Sequence, residues 1–276
     1  MKKFFRGCTI VLGTGVGLLL LAGSVLYMIG MQKLTKSYPD TSVEAIPIPT
    51  GEAAIARGKH IAVIWACTKC HGEDLRGTLI EDNAFLGTIP APNLTSGNGG
   101  IAISYTDEDW VRAIRYGVKP DGRVEIRMNN YYTMSNQDLG DLIAYLKQIP
   151  PVDSNLPAMR IGPILPLAPA LGYLVPAAEQ SDHAAPRPAE PVPDATIEYG
   201  KYLSAICTGC HKAKNIGYAL KDWSQEGFVR AFHNGVLPNG KQLNPAMPLT
   251  AFSEMNEPEL TALWLYFHSL RPPTDK

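Results

Sequence analysis

The stretch Cys67-Thr68-Lys69-Cys70-His71 returns 140 residues later as Cys207-Thr208-Gly209-Cys210-His211. Four of the chain's five cysteines lie in these two motifs, and the fifth, Cys8, lies near the N-terminus. Two thiols three positions apart, followed directly by an imidazole, form a compact set of groups for holding a cofactor or a metal. The repeat predicts that the chain contains two copies of one structural unit.

A Cys-x-x-Cys-His run is the attachment signature of c-type haem, because each thiol can bond one vinyl group while the histidine ligates the iron. A zinc site would have to join both motifs and would leave the adjacent histidines unexplained. A redox dithiol would need a preceding strand and a βαβ context, and neither is visible. We therefore predict two covalently attached haem c groups. The predicted attachment and ligating residues are Cys67, Cys70, His71, Cys207, Cys210 and His211.

The N-terminus has the pattern of a membrane anchor. Residues from Thr9 to Met31 include no charge, and these 23 residues would cover about 34 Å as a helix, enough to cross a bilayer. The stretch 21–24 is only a weak cleavage site, so an uncleaved signal-anchor is favoured over a signal peptide. The basic N-terminal flank should stay in the cytoplasm, which places the rest outside it in a single-pass topology.

The charge distribution bears on possible partners. The 25 basic and 26 acidic residues nearly balance, but five of the bases precede residue 40. The remainder has 20 bases and 26 acids, a net charge of −6. This excess of acids argues against a nucleic-acid partner and favours a docking partner with a basic face.

The segment after the first motif is predicted to contain loops and helices. Thr50 is a candidate cap for a helix that runs through the first motif, and the region around Pro90 is predicted to be a loop. Thr106 should cap a helix that closes at Gly117, and Ser135 should cap a last helix with one buried stripe. We find no strand alternation of useful length, so the prediction is an all-α fold.

A connector separates the two copies. Eleven prolines lie between residues 150 and 193, too many for regular structure. Its apolar part, residues 161–175, could pack on a domain, a partner or the membrane surface. Asp194 or Thr196 then opens a helix, Ser224 caps a second, and Asn256 caps the last. The second copy thus repeats the order of the first.

With both motifs, the block from Trp110 to Val118, and Met247-Pro248 ahead of the last helix, the sequence resembles the class I c-type cytochromes in tandem dihaem form. The resemblance covers residues 50–150 and 194–273. The stretch 91–95, Ala-Pro-Asn-Leu-Thr, is also similar to cytochrome subunits of membrane-bound bacterial dehydrogenases. The resemblance to class I cytochromes implies helices around each haem, with the first and last helices of each domain crossing near Gly58 or Gly200. It also implies electron transfer, and haem attachment outside the cytoplasm.

This resemblance predicts five segments. Residues 1–36 are a cytoplasmic N-terminus and transmembrane signal-anchor, and residues 37–49 are a spacer. Residues 50–151 are the first cytochrome c domain, residues 152–193 are the Pro-rich connector, and residues 194–276 are the second cytochrome c domain.

The resemblance also suggests the sixth iron ligands. Met247, followed by proline, matches the family position in the second domain, and Met255 reads as core. The first domain departs from the pattern. Counting back eight residues from Met134, the spacing of Met247 from Met255, gives Ile126, and counting forward seven residues from Gly122 gives Asn129. Met128 lies between these two positions and is the predicted ligand. Met134 is the weaker alternative, and a differently ligated or five-coordinate first haem stays open.

The other histidines read as surface or connector residues. His60 is expected to face solvent, His183 lies in the connector, and His233 and His268 align with Arg115 and Lys147.

Three functions remain open. The first is a membrane-anchored dihaem carrier of single electrons, periplasmic in its haem domains, between a dehydrogenase or quinol-oxidising complex and a terminal acceptor. The second is a dihaem peroxidase or oxidase that uses an open first haem. The third is a non-catalytic subunit of a larger membrane oxidoreductase. In the first and third, no residue beyond the ligands is catalytic.

Overall fold

Two largely helical units, each beginning and ending with a helix that crosses the other, make up most of the described chain. The computed structural model describes residues 2–39, 41–181 and 189–271, with side chains from residue 12 onward. The N-terminal helix is α1, Lys2–Leu34. The first unit, residues 50–151, contains α2 Glu52–Ile64, α3 Cys67–His71, β1 Thr78–Asn83, β2 Gly87–Ala91, α4 Asp107–Tyr116 and α5 Asn136–Leu146.

The connector and the second unit complete the order. The connector contains β3 Arg160–Ile161, α6 Leu167–Ala170 and α7 Ala177–Gln180. The second unit, residues 194–271, contains α8 Ile197–Leu203, α9 Ala205–Thr208, α10 Ala213–Ala219, α11 Gln225–Asn234, α12 Leu249–Phe252 and α13 Glu257–Ser269.

Helix α1 contains the expected apolar span. Its part from Leu12 to Leu34 is long and apolar enough to cross a membrane. Side chains from Leu12 to Val25 are exposed along this helix. Contact with the rest of the chain becomes close at Gly30, which is buried. Cys8 lies in the part of α1 whose side chains are not described.

The first and last helices of each unit cross at a glycine, as expected. A Cβ on Gly58 of α2 would collide with the carbonyl of Asp141 in α5. A Cβ on Gly200 of α8 would collide in the same way with the carbonyl of Ala262 in α13. Only glycine permits so close an approach of two backbones. The same crossing at equivalent positions supports an internal duplication.

Most helix starts follow the predicted caps. The side chains of Thr106, Ser135, Thr196 and Ser224 each accept a hydrogen bond from a backbone N–H in the first turn. Asn256 does so as part of a capping box. The prediction for Thr50 is wrong, because α2 begins one residue later with Gly51 at its N-cap and no side-chain bond.

The all-α prediction is wrong in one region, where three strands form a small antiparallel sheet in the order β1-β2-β3. Strand β1 carries a bulge between Leu79 and Glu81, which disrupts the alternation that would signal a strand. Asn83 forms the turn of the β1–β2 hairpin, since its side chain accepts from the N–H groups of Phe85 and Leu86. Strand β2 contains Pro90, and proline is uncommon within strands, so the sequence analysis predicted a loop in this region.

The connector is ordered where it follows the first unit. Leu165 and Ala178 pack with Leu34 of α1 and with Ile89 and Val118 of the first unit in a separate apolar cluster. The residues before α2 are also packed, since Gly140 lies against the backbone of Pro47. The end of α1 is therefore built into the first unit.

The two units contact each other through polar and aromatic side chains. The hydroxyl of Tyr202 donates to Asp138 Oδ2 at 2.6 Å and accepts from the N–H of Ser135 at 3.2 Å. The Tyr202 ring also meets Trp65 edge-on, with centroids 5.5 Å apart. These contacts set the second unit against the helix that leads into the first motif.

His60 takes part in the same interface, and its expected solvent-facing position is wrong. Its Nε2 lies 2.7 Å from Oε1 of Glu259, which is buried in α13. The carboxylate raises the pKa of His60 through this hydrogen bond, and Glu254 and Asp138 add smaller effects in the same direction. The protonated imidazole therefore helps to hold the two units together.

We expect this contact to make stability depend on pH. The pKa of His60 is raised on folding, so its contribution is complete below the unfolded value and is lost as the pH rises through the folded value. The thermal midpoint of the full chain should therefore fall across that range. His60→Gln should abolish this part of the fall, and an identical pH profile in the variant would contradict the assignment.

Candidate functional site

The first motif lies on its own short helix. Helix α2 stops at Ile64, and Ala66 adopts a left-handed conformation with φ 59° before α3 begins at Cys67. This break redirects the chain. Contrary to the prediction, the motif therefore does not continue α2. The conformation is uncommon for a residue other than glycine.

An apolar pocket opens beside this motif. Cys67, Cys70 and His71 all line it. Its apolar lining includes Ile89, Leu94, Ile114, Tyr131, Leu142 and Leu146. The predicted first attachment residues thus meet at one cavity.

The surroundings of this motif disfavour the thiolate form of its two cysteines. Burial raises the pKa of Cys67 to about 12 and raises that of Cys70 as well. Catalytic and redox-active cysteines have a lowered pKa, so the dithiol interpretation loses its basis here. The zinc interpretation has no support in the described ranges either, where no group of three or more His, Cys, Asp or Glu side chains could hold a metal ion.

His71 is oriented for ligation through its second nitrogen. Its Nδ1 lies 2.8 Å from the carbonyl oxygen of Pro92. With the proton on Nδ1 for this bond, the lone pair of Nε2 is free for a metal. Burial lowers the pKa of His71, which favours the neutral imidazole that ligation requires. The stretch 91–95 noted in the sequence thus supplies the partner of His71.

Three methionines line the pocket. Met128, the predicted sixth ligand, is half-buried there. Met134 is fully buried, and its N–H donates to Tyr131 as that of Met255 does to Phe252. This equivalence favours a core role for Met134. Met159 was missed, because it comes from the connector and no spacing relates it to the motif.

Polar groups in the pocket wall fit an amphipathic cofactor. The buried indole Nε1 of Trp110 has no hydrogen-bond partner among the described residues. A haem carries two propionate carboxylates on an apolar ring, and a carboxylate would satisfy this donor. Arg127 and Asn129 also line the pocket. The residues present therefore fit haem in both their apolar and their polar parts.

Glu125 is a further pocket residue that the sequence analysis missed. It lines the cavity and lies 3.6 Å from Lys119, while burial raises its pKa. The sequence had suggested no carboxylate near the first site. The short segment between Gly122 and Met128 has no helical or strand pattern, so nothing indicated which of its side chains face inward.

The second site brings its predicted ligands together directly. Nε2 of His211 lies 3.5 Å from Sδ of Met247. The side chains of the two predicted ligands therefore face each other, with the donor atoms in direct contact. Burial raises the pKa of Cys207 to about 12, and Cys210 is exposed.

Met247 is presented by a tight turn. Its N–H donates to the carbonyl of Asn244, and the Asn244 side chain accepts from the N–H of Ala246. Helix α12 begins two residues after Met247. The predicted family position before the last helix is thus locally ordered.

The two sites differ in enclosure. His211 is exposed, whereas His71 is half-buried. Helix α11 starts 14 residues after His211, whereas α4 starts 36 residues after His71. The second unit therefore lacks a counterpart of the segment that carries β1, β2 and Pro92.

The remaining candidates lie away from both sites. His233 and His268 are exposed, which confirms their expected placement, and His183 lies outside the described residues. Arg112 pairs with Asp109 at 2.6 Å and Arg230 is exposed.

Comparisons with known proteins agree with this geometry. A family model for cytochrome c matches residues 55–150. The fructose dehydrogenase cytochrome subunit of Gluconobacter japonicus is 27% identical over 127 residues, 43% of this chain and 26% of the relative. The gluconate 2-dehydrogenase cytochrome c subunit of Pantoea cypripedii is 27% identical over 195 residues, 64% of this chain and 42% of the relative.

A third relative is also the cytochrome subunit of a dehydrogenase. The cytochrome c subunit of the quinone alcohol dehydrogenase of Gluconobacter oxydans is 26% identical over 215 residues, 71% of this chain and 42% of the relative. The chain thus spans less than half the length of the curated relatives it matches. Residues 55–150 are a cytochrome c domain, and the chain resembles cytochrome c subunits of bacterial dehydrogenases.

Proposed function

We propose, from the cytochrome c domain at residues 55–150, that the protein is a membrane-anchored dihaem cytochrome c. It carries single electrons between a membrane dehydrogenase or quinol-oxidising complex and a terminal acceptor. The observation that carries this proposal is the apolar pocket with Cys67, Cys70 and His71 together in its wall. A haem c bound there supplies one-electron redox chemistry at its iron.

In the first site, Cys67 and Cys70 form the thioether bonds and His71 provides the proximal nitrogen. Pro92 orients His71 through the hydrogen bond at Nδ1. Met128 is the sixth ligand, because it lines the cavity and Met134 matches core Met255. Trp110 would donate to a propionate through its indole N–H, which has no partner among the described residues. The apolar wall excludes water, and Met ligation favours a high potential.

In the second site, Cys207 and Cys210 form the thioether bonds, and His211 and Met247 ligate the iron. The 3.5 Å approach of His211 Nε2 to Met247 Sδ supports this assignment. His211 and Cys210 are exposed. An exposed haem edge is where a partner protein can accept or donate an electron, so we assign exchange with the terminal acceptor to this site.

Two haems held at these sites would exchange electrons across the contact between the units. Lys69, inside the first motif, donates from Nζ to the carbonyl of Ala246 at 2.7 Å. Ala246 directly precedes Met247, so the attachment loop of one site touches the ligand loop of the other. Trp65 and Tyr202 pack beside this contact. This arrangement gives a short route from the enclosed site to the exposed one.

The relatives' names support a dehydrogenase as the electron donor, since each is the cytochrome subunit of such a complex. The apolar span of α1 supports a single-pass anchor in the cytoplasmic membrane, with both haem sites on the periplasmic side. A free electron carrier and a subunit of a larger oxidoreductase differ only in whether the chain is bound to that complex in a fixed stoichiometry. Co-purification with a dehydrogenase from membranes separates them.

A second candidate function is a dihaem peroxidase or oxidase that uses the first site. Glu125 favours it, because a buried carboxyl with a raised pKa in the pocket wall resembles a general acid. Its contact with Lys119 and the three methionines in the cavity argue for the carrier instead.

We expect the ferric full-length protein to be low-spin at both sites and to titrate in two one-electron steps. It should show no turnover of hydrogen peroxide. Electronic absorption and paramagnetic resonance spectra, followed through a redox titration, check this. A high-spin ferric site together with peroxide turnover that Glu125→Gln abolishes would replace the carrier by the peroxidase.

A further inference from the structure

The connector carries an exposed apolar surface beside the membrane helix. No charged residue lies between Arg160 and Glu179. Within this stretch four apolar or aromatic side chains are exposed: Ile164 at 45%, Leu171 at 55%, Tyr173 at 85% and Val175 at 41%. We call these four side chains the connector surface.

The backbone holds the connector surface in place. The N–H groups of Tyr173 and Leu174 both donate to the carbonyl of Ala168, at 2.8 and 3.3 Å. Gly172, with φ +79°, lies at the tip of this turn. Beneath it, Leu165 and Ala178 are buried in the apolar cluster with Leu34. The exposed side chains are therefore presented by an ordered loop.

The loop lies at one defined level of α1. A Cβ on Gly30 would collide with the carbonyl of Pro166, the residue before α6. Three residues later, Lys33 pairs with Glu179 at 3.3 Å. The connector thus packs on the C-terminal end of α1 and leaves the part before Gly30 largely exposed.

The length of the exposed part of α1 indicates where along the helix the hydrocarbon core of a bilayer would end. From Leu12, where the described side chains begin, to Ile29 the helix extends about 27 Å, close to a hydrocarbon core of about 30 Å. The connector meets α1 where that core ends. Tyrosine is enriched at this level of a membrane, because its ring is amphipathic. Tyr173 is the most exposed side chain of the connector surface.

We propose that the connector surface inserts into the outer surface of the lipid bilayer beside α1. The inference rests on the proposed transmembrane anchor. The bilayer is its occupant because the surface is uncharged, continuous with the apolar span and at the level of the headgroups. The first haem unit is then attached to the membrane at two places, and its orientation toward a membrane dehydrogenase is set.

Photo-crosslinking of the full-length holoprotein tests this in vesicles of phosphatidylethanolamine and phosphatidylglycerol. A benzophenone amino acid replaces Tyr173 in one variant, Met28 of α1 in a second and Tyr218 of the second unit in a third. Met28 and Tyr218 are also exposed, at 61% and 51%. We expect lipid adducts by mass spectrometry at positions 173 and 28, and none at 218.

Comparing the three positions distinguishes failure of the connector-surface proposal from failure of the proposed anchor. An adduct at 28 without one at 173 overturns the connector surface and leaves the anchor intact. Adducts at neither position overturn the anchor as well. A crosslink from 173 to a second copy of the chain, in place of lipid, also overturns the proposal and identifies the surface as a protein interface.

Discussion

Replacing Met128 with alanine is expected to change one of the two haems from low-spin to high-spin and to lower its potential. Loss of a thioether ligand removes the electronic preference for the reduced iron that Met provides. Axial ligands set haem potentials over a range of about 0.8 V, so we expect a fall on the order of 0.1 V. The second haem should titrate as in the unmodified protein.

The other two pocket methionines provide matched controls. Met134→Leu and Met159→Leu remove a thioether from the same cavity while keeping an apolar side chain of similar volume. Both should leave the spin state and the potential of the first haem nearly unchanged. If Met128→Ala titrates normally and either control loses the low-spin haem, the ligand is that methionine.

Replacing Gly58 with valine is expected to unfold the first unit. The Cβ would meet the backbone carbonyl of Asp141, which no rotamer change can move away. Overpacking typically costs about 1–3 kcal/mol where side chains can adjust, so we expect at least about 3 kcal/mol at this crossing. Far-UV circular dichroism during thermal unfolding measures the loss.

The duplication offers an internal comparison. Gly200→Val should damage the second unit in the same way, because its Cβ would meet the carbonyl of Ala262. The titration amplitude of the first haem should fall in Gly58→Val and that of the second in Gly200→Val. Ala56→Val, on the exposed side of α2, is the control and should change stability little. Equal loss at both glycines and Ala56 would refute the crossing as the cause.

Much of the helical framework follows from local signals in the sequence. Thr106, Ser135, Thr196, Ser224 and Asn256 mark helix starts, because a side-chain oxygen there satisfies a backbone N–H. Gly117 and Gly235 end α4 and α11 in the left-handed conformation that glycine adopts readily.

The missed features depend on contacts between distant segments. The small sheet could not be predicted, because β3 joins it from the connector and the bulge hides the period of β1. The position of His60 depends on Glu259, which lies 199 residues away in sequence. Met159 and Glu125 reach the pocket from segments without a periodic pattern.

The two sites show what sequence matching leaves out. Met247-Pro248 matched the family closely, and the second site therefore looked the more complete. Enclosure of His71 depends instead on the segment with β1, β2 and Pro92, which has no counterpart after His211. A ligand motif therefore does not reveal how far the surrounding chain encloses the cofactor.

The central claim is that this chain holds two covalently attached haems, each at its own motif. Intact-protein mass spectrometry of the holoprotein under denaturing conditions tests it most directly. We expect a mass increase of two haems for the unmodified protein. Cys67→Ala with Cys70→Ala should retain one haem, and Cys207→Ala with Cys210→Ala should also retain one. A single haem in the unmodified protein, unaffected by loss of Cys207 and Cys210, would contradict the dihaem account.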